Sequence, residues 1–143
     1  ALMADRGAGL QVLREIRKFP AGLASELESS IKRFPIRFWV VDDSYSMNLS
    51  GGTVGLTGKG SRWEELAQTV SIAAEIARML NARTDLHFLN GSAAGRQGDQ
   101  QFLTVASTDG LVRRQGTLVK EMSEVSAALE NAPGRAGTPL ADA

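Results

Sequence analysis

The feature that most constrains this 143-residue chain is an apolar run that ends abruptly in oxygen-bearing side chains. Residues 36–41 (IRFWVV) are rich in β-branched and aromatic residues, and the second half is apolar on both faces. That pattern is typical of a strand in the centre of a parallel sheet. The run passes directly into Asp42-Asp43-Ser44-Tyr45-Ser46. Because open α/β sheets bind ligands at the carboxyl ends of their strands, this junction is the first candidate for a functional site.

The pattern after this strand predicts an α/β fold with a Rossmann-like open sheet. Helices are predicted over 61–81 and 116–131, and strands over 84–89 and 101–106. The first helix opens on a capping-box pattern, Ser61 followed by Glu64. Strand, helix and strand in succession imply two parallel strands. The short connection before 101–106 predicts an antiparallel strand at the sheet edge, and we expect helices on both faces of the sheet.

The chain divides into two predicted parts. Residues 1–35 form an N-terminal helical extension, in which two short amphipathic helices are separated by Pro20. Residues 36–143 form the α/β domain. Five glycines within 51–60 predict a flexible loop before the first long helix.

Composition excludes several classes of function. Sixteen basic residues balance sixteen acidic ones, so no overall field favours nucleic acid or an anionic membrane. No apolar run is long enough to span a bilayer. The chain has no cysteine, which excludes disulfides and zinc–thiolate sites. With no recognisable signal peptide, this favours an intracellular location.

The spacing Asp42-x-Ser44-x-Ser46 can turn one carboxylate and two hydroxyls toward a single point. Hard oxygen ligands of low total charge suit Mg²⁺ or Mn²⁺, which keep several waters and an open coordination position. The same residues also favour an Asx- or Ser-turn that merely ends the strand. The spacing alone leaves both interpretations open.

The segment 38–47 (FWVVDDSYSM) resembles the opening signature of von Willebrand factor A (VWA) domains, an apolar strand that runs into D-x-S-x-S-M. The helix that begins near Ser61 lies where this family has its first helix. Residues 137–140 (GTPL) resemble the family's second metal-site loop. The resemblance covers about residues 36–143.

The resemblance implies a metal-ion-dependent adhesion site that binds a protein partner and catalyses no reaction. Ser44 and Ser46 would bind one Mg²⁺ or Mn²⁺ directly, and Thr138 would bind directly or through water. Asp42 would hold the waters of the metal or bind the metal weakly. An acidic side chain of the partner would fill the open position. Independently of the resemblance, the position of Tyr45 between the two serines makes it a candidate to lie at the rim of the site and contact the partner. The family's later strand and its aspartate have no counterpart in 36–143, so we expect an incomplete VWA fold.

Other interpretations compete with this one. Many domains of this family are assembly modules within larger complexes, with the metal site unused or degenerate. A receiver-type phosphoacceptor domain also has an acidic pair after its first strand, but Asp85 precedes the apolar part of the next strand, residues 86–89, instead of following it. Residues 58–61 (GKGS) have the wrong spacing for a P-loop. A hydrolase would need a base, and His87, the one histidine, lies within an apolar strand.

Overall fold

The computed structural model describes residues 6–54, 58–89, 102–107 and 116–131. The helices are α1 (Arg6–Glu15), α2 (Ala21–Arg33), α3 (Arg62–Met79) and α4 (Met122–Asn131). The strands are β1 (Arg37–Val41), β2 (Ser50–Val54), β3 (Gly58–Ser61), β4 (Thr84–Phe88), β5 (Phe102–Val105) and β6 (Gly116–Leu118). Within these ranges, no helix combines the length and the apolar character needed to cross a bilayer.

Among the described residues, four strands form one open sheet in the order β1-β4-β5-β6. β1 and β4 are parallel, with Trp39 opposite Leu86, and β5 and β6 are also parallel. β5 runs antiparallel to β4. The predicted α/β sheet with mainly parallel pairing is therefore confirmed, as is the antiparallel direction of β5. Its predicted position at the sheet edge is wrong, because β6 pairs with its other side.

One face of the sheet carries the main core. Side chains that alternate along β1, β4 and β5 pack against α3 and α4, and the buried members of this cluster include Val41, Val70, Leu86, Leu103 and Val125. The opposite face of β1 exposes Phe38 and Val40. Among the described residues, α3 and α4 thus cover the same face. The expectation of helices on both faces is not met within these ranges.

α3 is built as its sequence predicts. The Ser61 hydroxyl accepts from the Glu64 amide at 3.1 Å, and the Glu64 carboxylate accepts from the Ser61 amide at 2.7 Å. These bonds satisfy two amide groups that a helix start leaves without intrahelical partners. Further along, Trp63 is buried and its indole Nε1–H donates to the Leu129 carbonyl of α4 at 3.1 Å. Trp63 is therefore a core residue.

The N-terminal helices pack on the carboxyl end of α3. Leu10 and Leu13 of α1 and Ile31 of α2 share a second core cluster with Leu80, which follows α3. Gly9 lies so close to the Met79 carbonyl that a side chain there would overlap it. The two short helices predicted on either side of Pro20 are both confirmed, the first as α1 and the second as α2.

Two segments depart from the predictions. The glycine-rich stretch, expected to be a loop, contains an antiparallel hairpin of β2 and β3. Gly52 approaches the backbone of Ser61 more closely than a side chain would permit, so the glycines allow this packing. The helix predicted over 116–131 begins at Met122 instead. Residues 116–118 form β6, whose backbone pairs with β5.

Candidate metal-binding site

The candidate site follows β1, at the carboxyl end of the parallel pair of β1 and β4. Val41, the last residue of β1, is fully buried and its carbonyl accepts from the Leu89 amide at 3.0 Å. The chain then leaves the sheet and forms a single 3-10 turn, Tyr45–Asn48. The Met47 amide donates to the Ser44 carbonyl at 3.1 Å, which fixes the first residue of this turn. The backbone therefore holds Ser44 and Ser46 beside the end of β1.

The three oxygen-bearing residues of the predicted motif come together. The Ser44 and Ser46 Oγ atoms lie 3.1 Å apart. The Asp42 Oδ1 atom accepts from the Ser44 amide at 3.0 Å, which holds the carboxylate over the turn. Ser44 is 1% exposed, whereas Ser46 is exposed. The group therefore extends from the core to the surface, where a ligand can reach it.

The hydroxyl spacing provides a test of fit for a metal ion. Octahedral Mg²⁺ has bonds to oxygen of about 2.1 Å, so neighbouring ligand oxygens are about 3.0 Å apart, the bond length times the square root of two. The observed 3.1 Å between the Ser44 and Ser46 hydroxyls is close to the Mg²⁺ value. The donor set therefore fits a small, hard cation.

A direct hydrogen bond between the two hydroxyls accounts for the same 3.1 Å spacing. The contact from the Ser44 amide to Asp42 is likewise the bond of an Asx-turn. The alternative that these residues end the strand as a turn is therefore also built into the structure. The turn and the metal site are compatible, because the turn uses Oδ1 of Asp42 and the backbone of Ser44.

Tyr45 lies between the two serines and is 65% exposed. Its side chain can therefore meet a partner, although the predicted contact itself stays a prediction. Leu49, at the end of the turn, is also exposed, and sequence reasoning did not single it out. Its amide donates to the Ser46 carbonyl at 3.2 Å, and its carbonyl accepts from the Arg62 amide at 3.1 Å. Tyr45 and Leu49 thus present exposed apolar surface on the segment that carries the serines.

Asp43 was not predicted to be a site residue, yet it is the more deeply buried of the two adjacent acids. It is 1% exposed, and its Oδ2 atom is buried. The sequence shows two adjacent carboxylates at positions 42 and 43, but it does not indicate which of them is buried. Thr138, the remaining predicted ligand, lies outside the described residues. Within the described ranges, no group of three or more His, Cys, Asp or Glu side chains gathers around a point.

The structure gives structural roles to the residues on which the receiver, P-loop and hydrolase interpretations depend. Asp85, in the first half of β4, is fully buried, and its Oδ1 atom accepts from the Thr104 hydroxyl at 2.8 Å. It does not lie at the carboxyl end of the strand, where a phosphoacceptor would be needed. Lys59 lies in β3, which forms a hairpin instead of a phosphate-binding loop. His87 is half-buried and stacks on Phe102 with ring centroids 4.4 Å apart.

Comparisons of this chain with protein-family models, curated proteins and solved structures gave no match. The resemblance to VWA domains accordingly stays a prediction, carried by the motif residues and the geometry around them.

Proposed function

We propose that this chain is a metal-ion-dependent protein-binding module with a VWA-like fold. The observation that carries the proposal is the 3.1 Å spacing of the Ser44 and Ser46 hydroxyls beside Asp42, at the carboxyl end of β1. One carboxylate and two hydroxyls give a donor set that suits Mg²⁺ or Mn²⁺. The position agrees with the place where open α/β sheets bind ligands.

In the proposed site, Ser44 and Ser46 bind the metal directly through their hydroxyl oxygens. Because its Oδ1 atom already accepts from the Ser44 amide, Asp42 contacts the metal through a bound water in this proposal. Thr138 is the proposed further ligand. The bound ion supplies a positive charge with an open coordination position, which an acidic side chain of a protein partner would fill.

The surface around the site supports a protein ligand. Tyr45 is 65% exposed and Leu49 is 53% exposed, and both lie on the segment that carries the serines. Large exposed side chains of this kind supply contact area at protein interfaces. The proposed interface therefore combines a central charged contact with an apolar rim.

A second candidate function is that of an assembly module in which the metal site is unused. The observation that favours it is the exposure of Phe38 (55%) and Val40 (68%) on β1, on the sheet face away from α3 and α4. Neighbouring exposed apolar residues can mark an interaction surface. This surface does not involve the serine hydroxyls, so the two functions predict different effects of serine substitution.

The experiment is selection of displayed random peptides on the purified chain in Mg²⁺, followed by elution with a chelator. The metal-dependent function predicts that acidic peptides are recovered, and that a Ser44→Ala/Ser46→Ala variant recovers none. A Ser25→Ala/Ser29→Ala variant is the matched control, because both serines are exposed on α2. Equal recovery by the site variant and the control would contradict the role of Ser44 and Ser46, and no chelator-eluted peptide from the unsubstituted chain would favour the assembly module. Circular dichroism of each variant verifies the fold.

A further inference from the structure

A cleft of about 650 Å³ lies next to the turn that carries Ser46, against the hairpin of β2 and β3. The side chains of Asn48, Ser50 and Lys59 line it, together with three glycines of the hairpin. Asn48 is the last residue of the turn Tyr45–Asn48, so the cleft adjoins the segment that carries the proposed metal ligands. Its volume is within the range of roughly 300–1,000 Å³ that is typical of ligand sites.

The glycines of the hairpin leave the floor of this cleft without side chains. Gly51 has no residue opposite it in the hairpin register, and its φ of +121° is a conformation that favours glycine. Gly52 is buried against the Ser61 backbone, where a side chain would overlap the Ser61 carbonyl. The main chain of a ligand can therefore approach the hairpin closely.

The polar side chains that line the cleft are neutral or cationic. Lys59 of β3 is exposed, and it forms no ion pair within the part of the chain that the structure describes. The Arg62 Nε atom lies 3.9 Å from the point where a Gly51 side chain would begin, which places a second cation at the rim. The Glu64 carboxylate is near the hairpin, but it already accepts from the Ser61 amide. The charges of the cleft are therefore complementary to an acidic ligand.

We infer that this cleft binds the part of the protein partner next to its metal-binding acid, and that Lys59 pairs with a second carboxylate of that segment. The inference rests on the proposed metal-dependent function, because the first carboxylate is the one that fills the open position of the metal. Four residues along the chain separate Ser46 from Ser50, so their Cα atoms are at most about 14 Å apart. About four extended residues of a partner cover that length, and one short acidic peptide therefore reaches both the metal and the cleft.

The probes are fluorescein-labelled peptides of glycine and serine that carry either one glutamate or a second glutamate roughly two to six residues from the first. Their affinities are measured by fluorescence polarisation in Mg²⁺, and the quantity compared is the ratio of two-acid to one-acid affinity. At the best spacing, this ratio should be about two- to fivefold larger in the unsubstituted chain than in Lys59→Met, which is the effect of one exposed ion pair. The same ratio in both chains at every spacing would overturn the inference.

Lys59→Met nearly preserves the length of the side chain, and the exposure of Lys59 means that the fold should be retained. Lys32→Met is the matched control, because it removes the same charge from an exposed position on α2. The control should keep the full affinity ratio, and an equal reduction in both variants would show an effect of net charge instead of a contact. Lys59→Glu adds a test of direct pairing: it should prefer the peptide in which the second glutamate is replaced by lysine. Absence of that preference would contradict the contact.

The one-acid peptide separates this inference from the proposed function. A chelator and the Ser44→Ala/Ser46→Ala variant should each abolish its binding, whereas Lys59→Met should leave its binding nearly unchanged. Binding of the one-acid peptide that survives the chelator would contradict the metal-dependent function. Chelator-sensitive binding with an affinity ratio that does not depend on Lys59 would contradict the role of the cleft alone, and no binding of any peptide would contradict both.

Discussion

The buried pair of Asp85 and Thr104 tests whether Asp85, the acid that a receiver-type domain would phosphorylate, has a structural role. Both residues are fully buried, and the Thr104 hydroxyl donates to Asp85 Oδ1 at 2.8 Å. Thr104→Val removes this donor while nearly preserving the shape of the side chain, so no cavity is created. A hydrogen bond to a charged group contributes roughly 1.5–3 kcal/mol, and we expect the free energy of unfolding to fall by that amount.

The assay is equilibrium unfolding in urea, monitored by circular dichroism. Thr104→Ser is the matched control: it keeps the hydroxyl and removes one methyl group, which costs about 0.8 kcal/mol or slightly more. The valine variant should therefore be less stable than the serine variant. The reverse order, or a valine variant within about 0.5 kcal/mol of the unsubstituted chain, would refute the structural role of this bond.

Two further predictions concern α3. Trp63→Phe leaves the Leu129 carbonyl without its indole donor, so the free energy of unfolding should fall by about 1–3 kcal/mol; a loss below this range in urea unfolding would show that the bond is replaced. Ser61→Ala removes the N-cap acceptor, and a loss of about 1 kcal/mol is expected in the same assay. Ser61→Asp is its control, because aspartate is also a good N-cap, and equal destabilisation by both would contradict the capping role.

The sequence predicts the parts of the fold that depend on local signals. β1 is recognisable because its apolar run is interrupted by a cluster of polar residues, and α3 because a capping box precedes a regular apolar spacing. Both elements form within one or two residues of their predicted bounds. The parallel pairing of β1 with β4 follows from the helix between them.

The errors arise where tertiary pairing overrides local pattern. Leu118, Met122, Val125 and Leu129 are spaced as on one helix, yet Leu118 belongs to β6 because its backbone pairs with β5. The position of β5 within the sheet depends on that same pairing. The glycine-rich hairpin has too few side chains to signal a strand, although its backbone pairs regularly from Gly52 to Val54.

The candidate site was predictable only where it depends on local spacing. The i, i+2 spacing of Ser44 and Ser46 is sufficient to bring their hydroxyls together once a turn follows the strand. Which of the two adjacent acids is buried depends on how the turn meets the core, so Asp43 could not be distinguished from Asp42 by spacing. The exposure of Leu49 likewise depends on the packing of the 3-10 turn on α3.

Calorimetric titration of Mg²⁺ and Mn²⁺ into the purified chain tests whether Asp42, Ser44 and Ser46 form a metal site. We expect saturable binding with one ion per chain, lost in Asp42→Ala and in Ser44→Ala/Ser46→Ala but retained in Ser25→Ala/Ser29→Ala. No binding by the unsubstituted chain, or equal binding by the site variants, would contradict the proposed metal site.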